Sequence, residues 1–234
     1  MHHRPAPRAE EPQVLSLDAA STVGGDARPK TPRRPTTSGG RAKTQKLTEF
    51  RRFLENDELP LRIDSSPSTG RRVVWTTSLE QLDFTHFLPL CVAGLQETLE
   101  PYPTFAFDAA MQLLEHGVDD ARVLRCLAPV VAQIKSALAT RDKDVVHRAL
   151  LVLQQLTVCD GVGGALADYY RAVLPLCNIL QDKHLGTGDE RTRELVADVL
   201  ETMEAYGSDD AHALIQQYVP TFQNQFPSDR LVST

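Results

Sequence analysis

The side chains able to carry chemistry are four cysteines, seven histidines and a few acidic residues. The cysteines are Cys91, Cys126, Cys159 and Cys177. They form no C-x-x-C pair, so their spacing indicates neither a zinc site nor a redox dithiol. No two histidines stand at i, i+4, and zinc needs three or four converging ligands. We therefore expect reduced core thiols, of which Cys159, near a helix end, is the most accessible.

A glycine-rich run at residues 161–164 is a candidate nucleotide-binding loop. It lacks the Lys-Ser/Thr of a phosphate loop and follows a predicted helix rather than a strand, so we interpret it as a tight connection. Acidic residues lie near predicted helix starts, where they complement the helix dipole. These are Asp142, Asp144, Asp189, Glu190 and Glu194. None has an identifiable acid–base partner, so we expect no catalytic residue, no metal site and no cofactor.

The basic residues are concentrated at one end of the chain. Residues 1–72 hold 14 lysines and arginines against 9 acidic residues, a net charge of +5. Residues 73–234 hold 11 against 22, a net charge of −11, which gives −6 for the chain. A basic arm therefore precedes an acidic body, and this balance excludes a uniformly basic nucleic-acid-binding protein.

The predicted arm spans residues 1–46 and is rich in Pro, Gly, Ser, Thr and Arg, with almost no large apolar residue. Such a segment cannot bury enough surface to fold alone. Three interpretations stay open: a free tail, a segment that orders on an acidic partner, or a nuclear localisation patch. Its basic cluster comprises Lys30, Arg33, Arg34, Arg41, Lys43 and Lys46. Thr31 and Ser66 each precede proline and are candidate phosphorylation sites.

A docking segment is predicted over residues 47–80. Thr48 can cap a short helix that turns three apolar residues to one face. These are Phe50, Phe53 and Leu54. Two β-rich runs, at 59–63 and 71–77, flank a turn and predict a hairpin. Trp75, the only tryptophan, is expected to anchor that hairpin by packing.

A helical body is predicted over residues 81–226, followed by a tail at 227–234. Proline recurs in apolar helical stretches at intervals of 40, 46 and 45 residues, the period of HEAT and armadillo repeats. The prolines are Pro89, Pro129, Pro175 and Pro220. Each is expected inside the first helix of a pair, which it kinks. Second helices are predicted at 107–115, 145–156 and 191–206, and a final helix at 211–225.

Two further patterns support this register. With an offset of 40 residues, four apolar positions near the second helix of the first pair fall on four apolar positions in the second helix of the next pair. The pairs are Ala106–Val146, Ala109–Ala149, Ala110–Leu150 and Leu113–Leu153. Gly117, Gly161 and Gly207 follow the second helices and are expected to end them in the C′ position. The fold class is therefore predicted as all-α, a HEAT/armadillo-like helical repeat after a basic extended arm and a short hairpin.

Several runs resemble the Parkin co-regulated protein family, in the same order, over residues 48–226. They include Phe50-Arg-Arg-Phe53, Val74-Trp75, Leu82-Asp-Phe-Thr-His86-Phe-Leu-Pro89-Leu, Met111-Gln-Leu-Leu-Glu-His116-Gly117, Ile134–Leu138, Val152–Leu156, Tyr169–Pro175 and Glu201–Gly207. The arm has no counterpart in the family pattern, and the loop at 181–189 looks shorter.

The resemblance implies a helical-repeat protein without catalytic activity. Family members are structural proteins of the ciliary and flagellar axoneme, at the inner junction where the B-tubule closes on the A-tubule. There they bind α/β-tubulin, alternate with a small β-rich inner-junction protein and lie beside other microtubule inner proteins. The expected tubulin contacts are Lys30, Arg33, Arg34, Arg41, Lys43, Lys46, Arg51 and Arg52.

A second reading is a general helical-repeat adaptor that binds a peptide or chaperone client through its concave face. The basic arm would then be dispensable. A nucleic-acid binder is disfavoured because the acidic body repels phosphate. No apolar run approaches the length of a membrane span, and we expect a location in the cytoplasm and cytoskeleton, within the axoneme.

Overall fold

The computed structural model describes residues 47–66, 70–119 and 121–223. The predicted arm and the predicted tail lie outside this part of the chain, so the boundaries proposed at residues 46, 80 and 226 stay predictions. Within the described residues the protein is mainly α-helical, with one two-stranded sheet.

The chain enters the body through helix α1, Glu49–Glu55, as the apolar spacing predicts. Thr48 caps it, because its Oγ1 accepts a hydrogen bond from the Arg51 amide at 3.3 Å. Phe50 is fully buried. Its ring rests on Gly94, where a Cβ would lie only 2.7 Å from Phe50 Cγ, so a glycine is needed for this close approach.

A buried carboxylate holds the start of α1 against the body. Glu97 is 4% exposed, and its Oε1 accepts hydrogen bonds from the Thr48 amide at 2.9 Å and the Thr48 hydroxyl at 2.8 Å. Burial of a carboxylate is costly unless hydrogen bonds satisfy it. We call this pair the Thr48–Glu97 contact. It fixes the position of Thr48, at the start of α1, on the body.

The predicted hairpin is confirmed, with β1 at Leu61–Ser66 and β2 at Gly70–Trp75. The strands are antiparallel, with Leu61 opposite Trp75, and they extend into the predicted turn. Trp75 is half-buried, and its ring meets the Phe87 ring edge-to-face at 6.0 Å between centroids. Trp75 is therefore a packing anchor, as expected.

Three helix pairs follow the hairpin. The first helices are α2 Phe84–Gly94, α5 Leu127–Ala139 and α8 Tyr170–Gln181, and the second helices are α3 Tyr102–His116, α6 Lys143–Val158 and α9 Glu190–Tyr206. Short helices α4 Ala121–Arg125 and α7 Val162–Ala165 connect the pairs, and α10 Ala211–Tyr218 follows them. First helices pack on the next first helices and second helices on the next second helices, so the pairs form two layers.

The second helices bury equivalent positions. The four predicted residues of α3 and their four partners in α6, 40 residues on, are all buried. A further offset of 46 residues leads to four positions of α9 that are also buried: Thr192, Leu195, Val196 and Val199. The offsets of 40 and 46 equal the spacings of the first three prolines. One helix face is thus repeated at one register in all three pairs.

The expectation of an interior proline in every first helix is wrong at two positions. Pro89 and Pro175 lie inside α2 and α8. Pro129 is the third residue of α5, in the first turn, where backbone amides have no intrahelical acceptor and a proline removes no hydrogen bond. Pro220 lies beyond the end of α10. The final helix also ends earlier than predicted, at Tyr218.

The glycines that follow the second helices differ in backbone conformation and in the space around them. Gly117 and Gly207 directly follow α3 and α9, as expected, with φ of −88° and −78°, so neither takes the left-handed conformation common at C′. At Gly117 space is limiting, since a Cβ would lie 2.9 Å from the ring of Phe84. Gly161 has φ of 69° and caps the start of α7. Gly163, inside α7, lies against the backbone of Tyr206.

All four cysteines are buried free thiols, as expected. Cys159 is 2% exposed, so it is buried although it directly follows α6, where greater access was expected. Burial raises the pKa of Cys126 and of Cys159 to about 11 and that of Cys177 to about 12. Burial also raises the pKa of Cys91 far above its usual range. These thiols stay protonated at neutral pH.

Gly163→Ala is expected to lower the free energy of unfolding by about 1–3 kcal/mol, because the added methyl group meets the Tyr206 backbone. Gly164→Ala is the matched control: no atom lies within 4 Å of its Cβ position. The control should be neutral or stabilise by up to about 1 kcal/mol. Urea unfolding measures both, and equal effects would contradict the packing described for α7.

Glu97→Ala is expected to destabilise the protein by about 2–3 kcal/mol, since it leaves the Thr48 amide without its acceptor. Glu97→Gln keeps an acceptor oxygen and should cost about 1 kcal/mol. The measurement is again urea unfolding, with the dependence of the unfolding free energy on urea concentration unchanged between variants. If the alanine variant were as stable as the glutamine variant, the contact would not hold α1.

Iodoacetamide at pH 8 is expected to leave all four cysteines of the native protein unmodified over minutes. With the pKa of Cys126 and Cys159 raised to about 11, roughly one thiol in a thousand is ionised, and burial blocks access. In denaturant all four should react, as counted by mass spectrometry. Rapid modification of native Cys159 would contradict its placement.

Candidate interaction surfaces

The eight predicted tubulin contacts divide between two parts of the chain. Six of them, Lys30, Arg33, Arg34, Arg41, Lys43 and Lys46, lie outside the described residues. Arg51 and Arg52 lie on α1 and have different surroundings. Their contacts decide which of the two is available to a partner.

Arg51 is held by the protein itself. Its Nε donates to Glu55 Oε1 at 2.8 Å, and its guanidinium lies 4.4 Å from the centroid of the Tyr102 ring. The Tyr102 hydroxyl donates to the same Glu55 oxygen at 2.7 Å, and Glu97 Oε2 lies 3.9 Å from Arg51 Nη1. The hydrogen bond from Arg51 lowers the pKa of Glu55. Arg51 thus ties α1 to the start of α3.

Arg52 points to solvent. Its side chain is 58% exposed, with Nη2 at 3.7 Å from Glu49 Oε1 and the guanidinium 5.2 Å from the Phe53 ring centroid. An exposed ion pair of this kind contributes little to stability. Arg52 therefore has a charge that can be redirected to a partner at small cost.

Arg52 lines a groove of about 430 Å³ between α1, α2 and α5, which we call the α1 groove. Its lining also includes Glu49, Phe53, Thr85, His86, Pro89, Leu90, Ala93, Pro129 and Gln133. The His86 ring meets the rings of Phe53 and Phe87 edge-on, at 5.9 and 5.0 Å between centroids. The α1 groove combines the exposed Arg52–Glu49 pair with a mixed lining of apolar and polar side chains.

The hairpin carries further cations that the sequence did not single out. Arg62, Arg71 and Arg72 are exposed. Arg62 and Arg72 share the face of the sheet that carries Asp64, and Arg72 Nε lies 3.7 Å from Asp64 Oδ2. Alternation in the first run was the available signal, because Arg62 and Asp64 alternate with Leu61 and Ile63 and so share one face. The second run, with adjacent Arg71 and Arg72, does not alternate.

A second groove crosses the layer of second helices and has a volume of about 370 Å³. Side chains of α3, α6 and α9 line it: Phe107, Met111, Leu151, Gln154, Gln155, Val158, Thr202 and Tyr206. We call it the second-helix groove. An adjoining cavity of about 300 Å³ shares Val158 and Tyr206 with it and adds Asp119 and Asp160. We call this cavity the acidic end of the groove.

No group of three or more His, Cys, Asp or Glu residues within the described chain is arranged to hold a metal ion. His116 Nε2 lies 3.6 Å from Glu80 Oε1, and His212 Nδ1 lies 3.1 Å from Glu204 Oε1. Burial lowers the pKa of His147. The described surfaces thus offer grooves and charges for binding.

Among the described residues no single helix is long and apolar enough to cross a membrane. The segments Lys143–Val158 and Val162–Gln181 meet the length and composition criteria only as a pair bent by 116°.

Comparison with known proteins supports the resemblance noted in the sequence. The model of the Parkin co-regulated protein family matches residues 48–224. A protein of Mus musculus named Parkin coregulated gene protein homolog is 33% identical over 200 residues, which cover 81% of this chain and 82% of the mouse protein. The chain belongs to the Parkin co-regulated protein family.

Proposed function

We propose that the protein is a structural, non-catalytic microtubule inner protein of cilia and flagella. In this role it binds α/β-tubulin at the inner junction of the doublet and helps to close the B-tubule on the A-tubule. A small β-rich inner-junction protein and other microtubule inner proteins are its neighbours, and its location is the axoneme. Family membership supports the proposal. The four cysteines also support it, because they are buried free thiols with no feature of a reactive nucleophile.

The observation that carries the proposal is the placement of α1. The Thr48–Glu97 contact ties residue 48 to the body, two residues after the last member of the basic cluster, Lys46. Arg52 then continues the basic cluster as an exposed cation. An acidic partner that binds the cluster is thereby brought against the α1 groove.

The helix pairs suit a mechanical link. We infer that the two layers are a HEAT/armadillo-like repeat, because one helix face is buried at the same register in three successive pairs. In such a stack each pair contacts only its neighbours, which gives a spacer of fixed length with a broad surface. A spacer of this kind fits a repeating position along a microtubule wall.

The distribution of charge supports binding through the arm. Residues 73–234 carry a net charge of −11, and tubulin surfaces are acidic, so the body is repelled at long range. Salt screens this repulsion beyond about 8 Å under physiological conditions. The basic cluster supplies the attraction and steers the encounter.

Reversal of the six basic arm residues to Glu is expected to weaken co-sedimentation with microtubules at least tenfold at low salt, because it removes the attraction and adds repulsion. The matched control reverses six exposed cations of the body. These are Arg125, Lys135, Lys143, Arg171, Lys183 and Arg191. The control changes the net charge equally and should bind within about threefold of the native chain. Equal losses in the two variants would show that only net charge matters.

The second-helix groove favours a second candidate, a helical-repeat adaptor that binds a peptide or chaperone client. Its half-buried Phe107, Met111 and Leu151 form an apolar surface on a different layer from the α1 groove. Deletion of residues 1–46 separates the two candidates. It should abolish microtubule binding in the first case and leave client binding unchanged in the second.

A further inference from the structure

The second-helix groove ends where three helix C-termini meet. The acidic end is lined by Val118 and Asp119, which follow α3, by residues 157–160 at the end of α6, and by Tyr206, the last residue of α9. Gly161 and Gly163, at the start of the four-residue helix α7, complete the lining. Each helix C-terminus carries about half a negative charge on its free carbonyl groups. The three second helices therefore direct their negative ends into one cavity.

Two carboxylates add to this field. Asp119 and Asp160 are exposed side chains in the lining, and the Asp160 amide donates to the Val118 carbonyl at 2.7 Å, which fixes the two turns together. The described residues that line the groove and its acidic end include no lysine or arginine. The acidic end thus attracts a cation that the described chain does not supply there.

The rest of the groove has five apolar or aromatic side chains beside Gln154, Gln155 and Thr202. Phe107 and Met111 project from one face of α3, Leu151 and Val158 from α6, and Tyr206, which is 53% exposed, from α9. On the floor Gln154 Nε2 donates to Thr202 Oγ1 at 3.2 Å. This hydrogen bond pairs one N–H of Gln154 with Thr202, whose hydroxyl donates to the Asp198 carbonyl at 2.8 Å, and the larger side chains around it are apolar or aromatic.

We propose that the second-helix groove binds a basic amphipathic segment of a partner protein. Apolar side chains of that segment pack on Phe107, Met111 and Leu151, and a lysine or arginine enters the acidic end beside Asp119 and Asp160. The proposal goes beyond the microtubule role and does not depend on it, because no groove residue belongs to the predicted tubulin contacts.

Other occupants fit less well. The arm of this chain is basic, but it has almost no large apolar residue to pack in the groove. A second copy would bring one acidic end against another. A metal ion would find two carboxylates, fewer than the three ligands expected of a protein site. A segment that is both basic and apolar matches both parts of the surface.

The test uses the full chain and a fluorescein-labelled, 15-residue peptide of leucine and lysine with leucine at helical spacing. Anisotropy should show saturable binding, and a leucine–glutamate peptide of the same pattern should bind at least tenfold more weakly. Asp119→Asn combined with Asp160→Asn should weaken binding of the lysine peptide about fivefold to tenfold. Asp168→Asn combined with Glu194→Gln, at exposed acids elsewhere, is the matched control.

Tyr206→Lys gives a second, independent variant, since it places a cation over the groove at an exposed position. It should weaken binding of the lysine peptide more than tenfold, with circular dichroism unchanged. Equal binding of the two peptides, or equal losses in the two acid variants, would overturn the proposal. Tighter binding after deletion of residues 1–46 would identify the chain's own arm as the occupant. Self-association lost in Tyr206→Lys would identify a second copy.

Discussion

Burial of one repeated face in the second helices is the constraint on which the rest of the structure depends. In α3, α6 and α9 the same four positions of the register are buried, and each helix covers its predecessor. A single pair of short helices cannot bury such a face alone, so the three pairs stabilise one another. The parallel second helices then share one end, and this places three C-termini at the acidic end of the groove.

The same constraint explains how much of the fold could be predicted. Apolar spacing located the second helices, of which the first two were matched at an offset of 40 residues, and prolines in apolar stretches located the first helices. Two β-rich runs around a turn located the hairpin. The Thr48 cap, the Asp142 cap and the Asp189 cap followed from side chains that bond backbone amides within three residues.

Features that depend on distant contacts were not predictable. Gly163 is required because Tyr206, 43 positions later, passes beside it. Cys159 is buried although it directly follows a helix end, and no local pattern indicates this burial. Arg51 and Arg52 are adjacent arginines that the sequence does not distinguish. Only Arg51 contacts Tyr102 and Glu97. The grooves combine residues of three helices, so no contiguous motif marks them.

The proposed function assigns different roles to different parts of the chain. In the proposed function the basic arm would supply attraction, and the helix pairs supply length and two faces. Arg52 and the α1 groove lie on one layer, and the second-helix groove lies on the other. Such an arrangement allows attachment to a microtubule through one part and to a basic partner through another.

The six lysines of the chain permit a direct test of the claim that the arm makes the tubulin contact. Lys30, Lys43 and Lys46 lie in the arm, and Lys135, Lys143 and Lys183 are exposed on the body. Microtubules bound by the full chain would be treated with a zero-length amine–carboxylate cross-linker and analysed by mass spectrometry. The account predicts links from the arm lysines to acidic residues of tubulin. Links from the body lysines alone would contradict it.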